Sequence, residues 1–257
     1  MTNPPTFDPA DPAALAHYAA EGWLLTQTLD DAGVAELRSW IDEISAWPDD
    51  GEWMHHREMT DDGPQLCRSE NLIPFHEGMR RLLTEGSLVA TASALLGEQA
   101  VLYKEKINYK LPGGAGYAPH QDAPAYRFVD THVSCMVAVD DSTLDNGCLE
   151  VASGHHHELL PTDDVGCVRA DVVAELEWAP VEVRAGQTLW FHSRTPHRSG
   201  ANNSAVARRA LYPTYNALSE GDLRADYYRD KLAEFARGHE GERVQVSLIG
   251  DFQGRAV

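Results

Sequence analysis

Basic residues are scarce in this chain. Lysine and arginine number 21 against 40 acids, a formal charge of -19, and only four of the 257 residues are lysine. A nucleic acid or an anionic bilayer surface would be repelled by such a balance, so neither is an expected partner. Cysteine is sparse as well: Cys67, Cys135, Cys148 and Cys167 show no C-x-x-C spacing, which argues against a disulfide framework and against a structural zinc. No apolar run approaches the length needed to span a bilayer. The first residues carry acids and prolines in place of the basic and apolar runs of a signal peptide, and a cytoplasmic location is the expectation. Internal repeats and low-complexity tracts are missing too. What remains is a chain with 43% apolar residues, long enough to bury a full core and expected to form one domain over residues 1–257.

Within that chain the triplet His120-Gln121-Asp122 and the distant His197 stand out. Two neutral imidazoles and one carboxylate are the facial set that holds non-haem Fe(II) and leaves the opposite face open, where dioxygen and a co-substrate can bind. In an extended strand His120 and Asp122 would point to one side, with the third ligand coming from a neighbouring strand. A chain with 12 His meets His-x-Asp by chance often enough that the pair alone decides little. His132 and His192 are the other candidates for third ligand.

Coarse organisation follows from periodicity and turn signals. Asp11-Pro12 opens a capped helix over 12–20, residues 30–47 carry Val34, Leu37, Ile41 and Ile44 at helical spacing, and a third helix covers about 79–96. Residues 49–75 are polar and hold the paired His55-His56, which we read as solvated in a long loop and candidate lid. Strands are expected at 101–111, 132–139, 148–151, 179–183, 188–192 and 208–215, and a last helix at 221–238 on the outer face of the sheet, stopped by Gly238. Such a run around a metal site favours a mainly β fold with flanking helices and a double-stranded β-helix (jelly-roll, cupin-like) core. Its parts would be a helical N-terminal region 1–100, a jelly-roll core 101–217, and a C-terminal helix and tail 218–257.

Two residues past His197 comes Ser199, and further on Arg208-Arg209 opens an apolar stretch. A hydroxyl and a guanidinium near the metal suit the far carboxylate of 2-oxoglutarate, the arginine as a bidentate fork. His197-x-Ser199, eight residues, Arg208-x-Ala210, together with Asn146-Gly147-Cys148-Leu149 and Ser153-Gly154-His155, resembles the phytanoyl-CoA dioxygenase family of Fe(II)/2-oxoglutarate oxygenases over about residues 65–217. That resemblance implies iron on His120, Asp122 and His197, and 2-oxoglutarate on Ser199 and Arg208. It also implies a jelly-roll fold and no metal at His155-His156-His157, whose imidazoles we read as polar groups of a loop. Asp122, where a halogenase would carry a small residue, argues for hydroxylation.

Three of the four lysines, Lys104, Lys106 and Lys110, lie with Asn108 at period two in one strand, so these four share a face. Lysines can protect an edge strand from aggregation. This strand, however, runs directly toward His120, and a cationic face beside a catalytic centre would select a small anionic organic substrate or the anionic co-substrate. Asn108 could donate to the 2-oxoglutarate carboxylate nearest the iron. Lys104-Glu105-Lys106-Ile107-Asn108-Tyr109-Lys110 leading to His120-Gln121-Asp122-Ala123, with Cys67-Arg68-Ser69-Glu70-Asn71, is similar to the bacterial branch of 2-aminoethylphosphonate and 2-(trimethylammonio)ethylphosphonate hydroxylases. Arg68, Lys104, Lys106 and Lys110 are then expected to bind the anion, with Tyr126 and Phe128 as wall or core. The competing readings are a hydroxylase of another small acid, amino acid or secondary metabolite, and a metal-binding cupin-like protein that is not an oxygenase, since fold does not fix function. Ser199 with Arg208 separates the oxygenase from the cupin, which has no need of that pair.

Overall fold

In the computed structural model, which describes residues 5–60, 63–126, 128–129 and 131–237, the helices are α1 (Pro12–Glu21), α2 (Asp31–Ser45), α3 (Glu77–Thr84), α4 (Gly86–Leu96), α5 (Ala170–Val173) and α6 (Arg224–Arg237). The strands are β1 (Trp23–Gln27), β2 (Met54–Thr60), β3 (Gly63–Glu70), β4 (Ala100–Lys110), β5 (Tyr117–His120), β6 (His132–Ala138), β7 (Leu149–Val151), β8 (Ala179–Val181), β9 (Gln187–His192), β10 (His197–Ser199) and β11 (Arg208–Ala217). The Asp11 carboxylate caps α1 by accepting from Ala13 N at 2.8 Å. The apolar stripe of α2 buries Val34, Leu37, Ile41 and Ile44.

Two antiparallel sheets face each other as in a jelly roll. The larger has the order β1-β9-β6-β11-β4-β3-β2 and the smaller β5-β10-β7-β8. The outer face of the larger sheet, with Ile107, Val133, Val137, Trp190 and Leu211, packs on Leu37, Ile41, Met79, Leu83 and Leu88 of the helices. A second core, including Leu25, Met136, Leu149, Val151, Leu189 and Phe191, fills the space between the sheets. That apolar plug leaves the rest of the space between the sheets for polar groups.

The N-terminal hundred residues are not simply helical: β1, β2 and β3 come from them and join the larger sheet. The segment 49–75, expected as a loop, contains the β2–β3 hairpin, whose strands pair from Met54↔Glu70 to Thr60↔Gly63. Its polar composition hid it: besides Met54, the side chains on its inner face are His56, Arg68 and Glu70. His55 and His56 are buried rather than solvated. The core strands fall where expected, and β4 runs between β3 and β11. A central strand has no edge to protect, so that explanation of its lysines fails.

The last helix packs against β4. The Tyr228 hydroxyl donates to Glu105 O at 2.7 Å and accepts from Glu105 N at 3.0 Å, taking over the ladder where β3 stops pairing at Glu70↔Lys106. Glu105, fully buried, accepts from Leu72 N and from Arg224, a satisfied buried charge that ties α6 to β4. Gly238 and the tail beyond it lie outside the described residues. Among the described residues no helix is long and apolar enough to cross a membrane.

Candidate active site

β5 and β10 pair with His120 directly opposite His197, which brings the two imidazole rings to 4.2 Å between centroids. Asp122 arrives by a different route from the expected one. β5 ends at His120, and Asp122 has helical backbone (φ -71, ψ -30) at the start of a short 3-10 turn, so a turn rather than strand alternation sets it beside the imidazole. Asp122 Oδ1 lies 3.8 Å from His120 Nε2 and 3.9 Å from His197 Nε2. Among the described residues these three are the one group of metal-binding side chains whose donor atoms all lie within 4.8 Å of one another.

The arrangement suits an ion. His120 Nδ1 lies 2.7 Å from Ala118 O and His197 Nδ1 3.0 Å from Thr195 O, contacts that place the ring proton on Nδ1 and leave both Nε2 lone pairs aimed inward. Burial, reinforced by His197, pushes His120 down to about 3, so its ring is neutral at pH 7 and able to ligate. Burial opposes ionisation of Asp122, yet His197, His120, Lys104 and Lys106 hold its carboxyl well below the usual range. Gln121, which faces away, donates to Glu158 O and Arg194 O and accepts from Leu160 N. It clamps the loops on either side of the ligand strands.

His132 and His192 do not join this set. Both ring nitrogens of His132 are buried without a hydrogen-bond partner, and its ring packs 4.3 Å from Tyr126 and 5.1 Å from Tyr103. His192 Nδ1 accepts from Arg194 N. His156 stacks 4.0 Å from His157 and 5.5 Å from His192 without forming a ligand set. Tyr126 is buried, its ring 4.4 Å from Lys104 Nζ, whereas Phe128 is exposed.

Sequence reasoning missed Ser134 of β6, whose Oγ donates to Asp122 Oδ2 at 3.0 Å and lies 3.3 Å from Thr214 Oγ1. Groups of this kind fix the orientation of a ligating carboxylate. Ser134→Ala is expected to weaken Fe(II) binding by roughly tenfold or more while leaving the melting temperature near that of the parent, as titration of metal-free protein would read.

Arg208 lies on the inner face of β11, opposite Lys110 of β4. One guanidinium nitrogen donates to Ser142 Oγ at 2.8 Å, while its Nε is buried with no hydrogen-bond partner. A buried, unpaired guanidinium N–H is costly unless a ligand answers it, and a carboxylate is its natural complement. Lys110 stands at this end: its Nζ donates to Ser199 Oγ at 3.1 Å and to the Gly147 and Gly200 carbonyls. The Asn146-Gly147 turn makes room for it. A Cβ on Gly147 would lie 2.3 Å from Gly200 O and 2.6 Å from Lys110 Nζ, and the residue has φ +72, so only glycine fits. A cleft lined by Cys67, Asn108, Lys110, Tyr117 and Arg208 reaches this end of the site.

Rows across the larger sheet explain the remaining cluster. Arg68 pairs with Asn108, and Asn108 with Ala210; Glu70 pairs with Lys106, and Lys106 with Tyr212. The Arg68 guanidinium donates to Asn108 Oδ1 at 3.2 Å and to Glu70 Oε1 at 3.2 Å. His56 Nε2 lies 3.5 Å from the same carboxylate oxygen. Lys106 reaches over the Tyr212 ring at 5.5 Å, and burial, with Arg68 and Lys104 nearby, pushes its ammonium well down while Asp122 and Glu70 pull it up. Lys104 and Lys106 thus lie beside Asp122, and Arg68 beside Lys106, with Glu70 and His56 unforeseen among them.

The sequence matches the family model described as phytanoyl-CoA dioxygenase over residues 19–210. It is 49% identical over 235 residues to the methylphosphonate hydroxylase of Gimesia maris, covering 90% of each chain. It is 42% identical over 223 residues to the 2-aminoethylphosphonate dioxygenase of an uncultured bacterium, covering 84% of each. Among solved structures, the epimerase SnoN, crystallised with Fe3+, alpha ketoglutarate and nogalamycin RO, aligns with TM-score 0.69 and 26% identity over 80% of this chain and 85% of that one. With a matching family model across most of its length and iron- and 2-oxoglutarate-dependent relatives in both sequence and structure, the chain belongs to the phytanoyl-CoA dioxygenase family and is a non-haem iron, 2-oxoglutarate-dependent dioxygenase.

Proposed function

We propose that this enzyme hydroxylates a small phosphonate. In this reading His120, Asp122 and His197 hold Fe(II), Arg208 with Ser199, Lys110 and Asn108 receives 2-oxoglutarate, and Arg68, Lys104 and Lys106 bind the phosphonate head. The observation that carries it is the placement of Lys104 and Lys106 beside Asp122, with Arg68 on the neighbouring strand beside Lys106, in a protein with 40 acids. The names of the two relatives point the same way.

Fe(II) with 2-oxoglutarate supplies the oxidation, coupling decarboxylation to insertion of one atom of dioxygen into a C–H bond. The chain's own residues bind and orient. The two imidazoles present their Nε2 atoms as donors, Ser134 steadies the free oxygen of Asp122, and Arg208 offers an unanswered N–H to a carboxylate. Arg68 and the two lysines fix the anionic end of the substrate, so that a neighbouring carbon faces the metal. Among the described residues of this cluster the acid not assigned to the metal is Glu70, and Arg68 and His56 already engage it. Among the described residues, no other carboxylate of this cluster is left for an ammonium group. This favours methylphosphonate over 2-aminoethylphosphonate.

Lys110 gives the co-substrate end a pH signature. Burial, then the charge of Arg208, push its ammonium down to about 7. A carboxylate placed beside it stabilises the charged form, so binding of 2-oxoglutarate should take up a proton and weaken as pH rises through about 7. Calorimetry in two buffers of different ionisation enthalpy reads the uptake, and Lys110→Met should remove it.

The deciding experiment is substrate-dependent succinate formation with methylphosphonate, 2-aminoethylphosphonate, amino acids and acyl thioesters side by side. A phosphonate should give the highest kcat/KM, and methylphosphonate should exceed its amino analogue. Preference for a neutral compound or a thioester would overturn the phosphonate reading while leaving the iron chemistry in place.

A further inference from the structure

The fourth lysine of the chain lies on α6, far in sequence from the other three, yet it turns to the same cluster. Tyr227, one helical turn before it on the same face, packs 5.0 Å from the Tyr103 ring and 6.0 Å from Lys104 Nζ. The helix is fixed there by Tyr228 on the Glu105 backbone and by Arg224, which reaches both Glu105 and Asn71 Oδ1. Lys231 is partly buried, and its charge acts on Glu70 and on His56 across the gap. Glu70 therefore collects Arg68 from its own strand, His56 from β2 and Lys231 from α6.

That convergence has an electrostatic consequence. Arg68 and Glu70 largely offset each other as a buried pair, so most of the net positive charge offered to an anion comes from the lysines around them. A further cation from α6 adds to that charge on the Glu70 side of the cluster. A lysine that served only solubility would stand in water, and in so acidic a chain it would find partners anywhere on the surface.

We propose that Lys231 is a specificity-determining residue for the anionic substrate, and that Glu70 is the positioning residue that turns Lys231 and Arg68 toward one ligand. The proposal rests on the anionic-substrate reading above. It makes α6 part of the substrate site and not only a brace on β4.

Steady-state kinetics with methylphosphonate test it. Lys231→Met keeps the apolar stem and should raise KM for methylphosphonate by roughly tenfold or more, with kcat and the KM for 2-oxoglutarate nearly unchanged. Lys231→Arg should restore most of the loss, and Glu70→Gln should raise the same KM. Arg229→Ala, on the exposed side of α6 where Arg229 pairs with Asp226, is the helix control and should behave as the parent. An unchanged KM in Lys231→Met overturns the proposal. So does a joint fall in kcat, 2-oxoglutarate binding and melting temperature, which marks a structural role alone. If the parent enzyme turns over no phosphonate, the functional reading fails separately, and calorimetry with inorganic phosphate then judges Lys231. Roughly tenfold weaker phosphate binding in Lys231→Met supports it; equal binding, or none in the parent, overturns it.

Discussion

Alanine in place of His197 is expected to abolish succinate formation and to remove stoichiometric Fe(II) from the purified protein, while His132→Ala and His192→Ala retain the metal. The expectation comes from geometry: His197 Nε2 and His120 Nε2 both point at Asp122 Oδ1, whereas the His132 ring is enclosed by Tyr103 and Tyr126. An ion held by three protein groups loses a whole coordination position with any one of them, so the effect should far exceed the tenfold or so assigned to Ser134. Metal analysis of the three variants decides the assignment. Iron retained by His197→Ala at full stoichiometry would move the third ligand elsewhere.

Arg208→Ala should raise the 2-oxoglutarate concentration needed for half-maximal rate by roughly 30-fold or more, because truncating one side of a buried charge pair costs about 2 kcal/mol or above. Iron binding should stay close to that of the parent. Arg209→Ala is the internal comparison. Its guanidinium points to the outer side, pairing with Asp140 and Asp42 at 2.8 Å each, so its loss should lower the melting temperature and leave 2-oxoglutarate use alone. Equal loss of 2-oxoglutarate use in both variants would contradict the inward orientation of Arg208.

The core strands and the metal motif were legible because their signals are local. Buried strands such as β6 and β9 read as apolar runs, and His197, Ser199 and Arg208 keep their order along the chain. Period two correctly set Lys104, Lys106, Asn108 and Lys110 on one face. What period two could not tell was how far apart their tasks lie along an 11-residue strand: Lys106 meets Glu70 and Arg68, while Lys110 meets Ser199. The β2–β3 hairpin escaped notice because hydrophobic alternation is the usual mark of a strand, and this hairpin faces a polar site. Ser134, Glu70 and Lys231 carry no motif of their own. Their roles arise only when β6, β3 and α6 are brought together, and that is a property of the fold and not of any short stretch.

The placement of the metal donors and of the substrate groups on different strands has a consequence for how such an enzyme can change. The two histidine donors sit on β5 and β10 of the smaller sheet, and Asp122 follows β5 directly. The groups that would choose the substrate come from β3, β4 and α6, and from a hairpin that the larger sheet carries at its margin. A marginal hairpin can be rewritten without disturbing the interior ladder, since only one side of it is paired. Under the reading given above, substitutions at positions 56, 68 and 70 would exchange one small acid for another while the oxidising machinery stayed as it is. On that reading substrate choice and metal ligation draw on different strands, and a library confined to the hairpin is the natural place to look for new substrates.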